Sequence, residues 1–202
     1  MNEKQENILH IELINEGDFL GFKWSKFEDL PELNDLFDTS KQPVDWSAFY
    51  TCLDYPTAEG YLVNRLPEDG KGNGTVYMHK IFSTKPLQIV VCSDKGFQDG
   101  SYKHNGTVER IKRELKEVHG LNIELGDSLL PRLGELGFMF RCFHDKDGTE
   151  EIVIPHILKS TFLRPTLLKK YIFKSYCVVS SEEKLEKLSF RIPENSYFKF
   201  NF

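Results

Sequence analysis

No two of the four cysteines, Cys52, Cys92, Cys142 and Cys177, stand near one another in the chain. A zinc ribbon or a redox pair needs a CxxC spacing, so neither is expected. The six histidines form no HxH and no HExxH, which removes the common sequence signatures of a zinc enzyme. No apolar run approaches the length needed to span a bilayer. The N-terminus, MNEKQENILH, is polar and acidic where a secretory segment would be basic and then apolar. Together these absences predict a cytoplasmic protein with reduced thiols, no metal, no cofactor and no membrane partner. Internal repeats and low-complexity stretches are missing as well.

What is present suits a folded domain. The chain has 202 residues, 40% of them hydrophobic and 13% aromatic, with Phe alone supplying 16. Disordered chains lack that aromatic content. One domain over residues 1–202 is expected, with a core of real size. The net charge of −5 is unevenly placed. Met1 to Asp69 holds 15 acidic and 5 basic residues, whereas Gly70 to Phe202 holds 16 acidic and 21 basic. Either the acidic first third, 1–69, forms a subdomain that packs on the basic remainder, or the two parts face different partners.

The chain is organised around Thr107 to Gly120, TVERIKRELKEVHG. Val108, Ile111, Leu115 and Val118 recur at intervals of three and four, the spacing of one apolar helix stripe. Gly120 sits where a left-handed residue commonly ends a helix. A second helix is expected from Ser25 to Phe37, with Ser25 and Glu28 in a capping box. PLQIVVC, Pro86 to Cys92, predicts a central strand covered on both faces. Gly137 to His144 and Thr149 to His156 predict a hairpin about Asp147-Gly148. Strands are also expected at Ile8–Ile14, Phe19–Trp24, Tyr61–Leu66, Thr75–Phe82, Leu121–Leu125 and Tyr171–Val179. The strands are many, the helices few, and no regular βαβ rhythm appears. The fold class is therefore α+β: a mixed or mostly antiparallel sheet with a few packed helices, the clearest at 107–119.

Several stretches approach known chemistry and stop short of it. DGKGNG, Asp69 to Gly74, is glycine-rich, but its Lys71 precedes the glycines that a phosphate loop would place before it. Asp145, Asp147, Glu150 and Glu151 open like a calcium loop, yet the twelfth position is His156 and the glycine comes fourth. RELKEVHGL resembles part of a Nudix hydrolase box at Arg113, Glu114, Leu115, Glu117, Gly120 and Leu121. That resemblance would imply a glutamate cluster holding magnesium against a diphosphate. Val118 stands in place of one glutamate and Asn105 in place of another, so the metal-binding positions are not filled and an ordinary amphipathic helix is expected.

Two groups remain as candidate sites. Cys92 and Asp94 end the expected central strand, and His104 lies in the long loop before the main helix. A cysteine beside a histidine can act as a nucleophile, so these three are the catalytic candidates. From His156 to Ser181 the chain carries Lys159, Arg164, Lys169, Lys170 and Lys174 and no acidic residue. Tyr171 falls among them, and with these five it forms the candidate binding set. Cations interleaved with aromatics suit an acidic protein partner first and a nucleic acid second. The favoured function is a protein-interaction module that works by surface contact, as an inhibitor, immunity or accessory protein. The alternatives are a small hydrolase acting on a phosphorylated or nucleotide substrate, and a nucleic-acid-binding accessory protein.

Overall fold

The computed structural model describes residues 7–25, 48–63, 74–93, 107–143, 149–158, 163–174 and 177–181. The expected helix from Ser25 to Phe37 and the tail after Ser181 lie outside them, except that Ser25 itself ends a strand. In chain order the elements are β1 (Leu9–Ile14), β2 (Phe19–Ser25), β3 (Ala48–Cys52), α1 (Tyr55–Val63), β4 (Gly74–Ser83) and β5 (Leu87–Cys92). There follow α2 (Thr107–Glu117), α3 (Leu129–Glu135), β6 (Phe138–Phe143), β7 (Glu150–Pro155), β8 (Leu163–Lys174) and β9 (Cys177–Ser181). The described strands form one nine-stranded sheet in the order β1-β5-β6-β7-β3-β2-β4-β8-β9. Every neighbouring pair is antiparallel except β5 and β6, so the α+β class with a mostly antiparallel sheet holds.

Two bent ribbons give the sheet its shape. β1 and β2 are the legs of one, bent at Asn15–Asp18, and β4 and β5 are the legs of its antiparallel partner. The two bends are tied together: Gly17 N donates to Ser83 O and Ser83 N donates to Asp18 O, each at 2.9 Å. From β5 the order runs through β6, β7 and β3 to β2, and so back to the ribbon it left. The sheet therefore curls round an interior filled by Leu20, Phe49, Ile81, Ile89, Met139, Ile152 and Ile154.

The curl closes at a narrow seam. β2 and β3 share one residue pair, Phe22 and Cys52. Thr51 Oγ1 donates to Leu20 O across that seam. Gly21 has φ +120°, and a Cβ there would lie 2.8 Å from Cys52 O. Only glycine lets the two backbones approach so closely at that φ.

Helices cover the outer side in two places. The parallel step from β5 to β6 requires a crossover, and that crossover contains α2 and α3. Val108, Ile111 and Leu115 of α2 and Leu129, Leu130 and Leu133 of α3 bury against Leu9, Val90, Phe138 and Phe140. β5 is thus covered on both faces: Val90 and Cys92 meet the helices, and Leu87, Ile89 and Val91 enter the curl. On the other half α1 lays Tyr55 and Ala58 against Phe22, Trp24, Met78 and Tyr171.

Several sequence expectations need correction. The main helix stops at Glu117, so Val118 falls in the turn and is 50% exposed instead of completing the stripe; Gly120, at φ +67°, does end it. Tyr61 to Leu66 was expected as a strand, but the chain through Val63 is helical. Asp54 caps that helix, its Oδ2 accepting from Thr57 N at 2.8 Å, and Pro56 sits in the first turn, where a missing N–H costs nothing. Leu121 to Leu125 forms no strand; it is an irregular connection, with Ile123 N donating to Leu121 O at 2.8 Å and Leu125 in a turn, and Ile123 alone is fully buried. β8 begins at Leu163 and runs through Pro165. β9 pairs only with the far end of β8, from Tyr171 on, so Pro165 needs no partner on that side for its absent N–H. The strand expected over Tyr171–Val179 is the end of β8 and the start of β9. The hairpin of β6 and β7 forms as expected, with Phe143 opposite Glu150 and Pro155 closing the strand.

Candidate functional site

Tyr171 anchors β8 to α1 and is fully buried. Its hydroxyl donates to Glu59 Oε1 at 2.6 Å and lies 2.6 Å from the Tyr55 hydroxyl. Tyr55 also donates to Glu59 Oε1, at 3.1 Å. Tyr55 and Glu59 are four apart on α1, which puts both over the same point of β8. Burial, and then the bond to Glu59, raise the Tyr171 pKa far above the ordinary phenol range, so the hydroxyl stays protonated. Lys169 Nζ sits 5.3 Å from the centre of the Tyr171 ring, and this lysine too is buried.

The predicted basic set is thus divided by the fold. Tyr171 and Lys169 belong to the interior of the β2–β4–β8 half. Lys170 is half-buried opposite Tyr77. Arg164 stands opposite Phe82 and Lys174 opposite Cys177 in the strand register. Lys159 lies outside the described residues.

Strand pairing brings cations and aromatics together in a way the linear sequence does not show. Directly opposed residues of paired strands share a face. Phe22 faces Lys80, and Lys80 faces Thr166; Phe19 faces Phe82, and Phe82 faces Arg164. The rings make a continuous row. Phe82 and Phe19 are 5.8 Å apart between centroids, Phe19 and Phe22 are 4.9 Å, and Phe22 and Tyr55 are 5.1 Å. Phe19, second in the row, is 37% exposed, and Lys80, opposite Phe22, is half-buried. Phe19, Lys80 and Phe82 are the members that sequence reasoning missed. They come from strands far apart in the chain, and only Phe19–Trp24, rich in aromatics, carried a local signal.

The catalytic candidates do not assemble into a described constellation. Cys92 is buried in the helix-side core, while Asp94 and His104 lie outside the described residues. Glu114, one of the two glutamates of the Nudix-like stretch, accepts the backbone N–H of Leu9 at 2.7 Å and so ties α2 to β1. Arg141 bonds to Glu150 across β6 and β7 and approaches Glu12 of β1 at 3.7 Å. Among the described residues no group of three or more His, Cys, Asp or Glu is placed to hold a metal ion. No described helix is long and apolar enough to cross a membrane.

Trp46, Phe49, Tyr50, Tyr55 and Tyr61 stand close together in the sequence, but the described side chains among them part to different sides of the sheet. Phe49 enters the curl, Tyr50 packs on the helix side, and Tyr55 joins the α1 side. Adjacent strand residues point to opposite faces, which separates Phe49 from Tyr50. Trp46 lies outside the described residues, as does the side chain of Tyr61.

The class these observations define is an α+β protein with one curled, mostly antiparallel sheet and an aromatic–cationic strip on the outer side of β2, β4 and β8. No protein-family model matches the chain, and no curated protein matches it.

Proposed function

We propose that the protein is an interaction module that binds an acidic protein through the strip formed by Phe19, Phe82 and Lys80. The observation that carries this reading is the row of rings in which Phe19 is exposed, with Lys80 at a neighbouring register position. Exposed aromatics next to cations are what a hot spot for an acidic surface consists of: the ring supplies apolar area and the cations steer the partner and fix its orientation. The basic excess of residues 70–202 supports the same sign of partner. Binding by contact alone requires no cofactor.

The test compares a fluorescent Glu/Asp-rich peptide containing one Trp with a single-stranded oligothymidylate, by anisotropy at low and moderate salt. The peptide is expected to bind and the oligonucleotide to bind less well. Phe19→Ala and Lys80→Ala should each weaken the peptide about tenfold, equivalent to about 1.4 kcal/mol. Preference for the oligonucleotide would favour the nucleic-acid reading of the same cations and rings. Equal binding by wild type and both variants would remove the strip from the account.

A further inference from the structure

At the other end of the strand order, the outer edge of β1 is only half covered among the described residues. Alternate residues of an antiparallel strand turn their backbone groups toward the neighbour. Ser93 N donates to Ile8 O at 2.8 Å, which sets the phase: Ile8, His10, Glu12 and Ile14 face β5, and Leu9, Ile11 and Leu13 face outward. α2 covers the first outward residue. Glu114 Oε1 accepts from Leu9 N at 2.7 Å, and His119 Nε2 lies 3.2 Å from Leu9 O. Among the described residues nothing bonds to the outward N–H and C=O groups of Ile11 and Leu13, and Leu13 is 62% exposed. An uncovered strand edge is a template for one more strand.

We infer that the edge from Ile11 to Leu13 is a strand-addition site for an extended, basic segment of a partner protein. The sign of the partner follows from the charges around the edge. β1 lies in the acidic first third, with Glu12 on the strand and Glu16 and Asp18 in the turn that follows. A second copy of this chain fits poorly in each register available to it. Ile11 opposite Leu13 of the other copy stacks Glu12 on the same glutamate, and like charges directly opposed are destabilising. Ile11 opposite Ile11 sets Leu13 against Leu9, whose backbone groups already bond to α2. Leu13 opposite Leu13 sets Ile11 against Asn15, whose backbone groups are taken by Asp18. A foreign strand with Lys or Arg opposite Glu12 avoids all three, although it shares Glu12 with His10, at 2.9 Å, and Arg141, at 3.7 Å. This site is independent of the β2–β4–β8 strip, and the two stand or fall separately.

The probe is the peptide N-acetyl-Thr-Val-Lys-Val-Thr-amide, titrated to millimolar concentration into the full ¹⁵N-labelled chain. Its control is the same peptide with Glu at the centre. The lysine peptide should shift the Ile11 and Leu13 amides and slow their hydrogen exchange, and the glutamate peptide should bind about tenfold more weakly. Leu13→Pro removes an N–H that the fold does not use and should weaken the lysine peptide by a similar factor, leaving the amide spectrum of α2 and α3 in place. Leu13→Lys, which keeps the N–H and adds a cation, should weaken it as well. The inference is overturned by unmoved Ile11 and Leu13 amides, by equal binding of the two peptides, or by undiminished binding to both Leu13 variants. Exchange protection that rises with protein concentration in the absence of peptide would also overturn it, by identifying a second copy as the occupant.

Discussion

Gly21 and Tyr171 each hold a close contact between distant parts of the chain. Gly21 combines φ +120° with a Cβ position 2.8 Å from both Cys52 O and Thr51 Oγ1. Gly21→Ala must strain the backbone and push β3 away at the one pair that joins it to β2. A loss of about 3 kcal/mol is expected, read as a lowered urea midpoint with an unchanged slope. Tyr171→Phe keeps the ring and deletes the bond to Glu59, a hydrogen bond to a carboxylate. It should cost about 2 kcal/mol in the same experiment. The direction of the Tyr171 shift also fixes a pH dependence. Its folded-state pKa lies above the unfolded value, so its stabilising contribution is complete below about pH 10, where both states are protonated. Above that the unfolded phenol ionises and the folded one does not, so stability falls as pH rises. Alkaline urea titrations should show that fall in the wild type and a smaller one in Tyr171→Phe.

Among the elements, α2 does two jobs, and only one of them was legible in the sequence. The period of Val108, Ile111 and Leu115 identifies the helix and its buried face. Nothing local indicates that Glu114, three residues past Ile111, would cap the edge of β1, more than a hundred positions earlier. Glu114→Ala should uncover the Leu9 amide and speed its hydrogen exchange about tenfold, while the amides of β6 stay protected. The elements misjudged from sequence have identifiable causes. α1 was missed because Tyr61 and Leu62 suggest a strand locally, whereas Asp54 and Pro56, which start the helix, stand seven and five residues before Tyr61. β8 extends past Pro165 because its edge position tolerates a missing donor, and edge position is a property of the sheet. β5 and the β6–β7 hairpin were legible because their signals, an unbroken apolar run and an Asp-Gly between two strand-forming runs, are local.

For the whole molecule, the α+β class was legible and the closure of the sheet was not. β4 and β5 follow one another in the chain but do not pair; they bend together with β1 and β2 at a shared corner. That arrangement depends on long-range pairing, which one sequence does not display. The charge split likewise takes a form that composition does not reveal. β1, β2 and β3, all from the acidic first third, are interleaved with strands from the basic remainder in one sheet. The β1 edge and the β8–β9 end consequently lie at opposite ends of the strand order, one in acidic and one in basic sequence. The two proposed binding surfaces therefore use different strands.

The central claim is that the outer strip of β2, β4 and β8 makes contact with an acidic protein. Its most direct test places the photo-crosslinking residue benzoylphenylalanine at Phe19, and in a control chain at exposed Val118, far away on the helix side. Illumination in lysate of the protein's own cells should label one acidic protein from position 19 and not from 118. Adding Lys80→Glu to the Phe19 chain should abolish that label. Equal labelling from both positions, labelling that survives Lys80→Glu, or recovery of nucleic acid from position 19 would contradict the account.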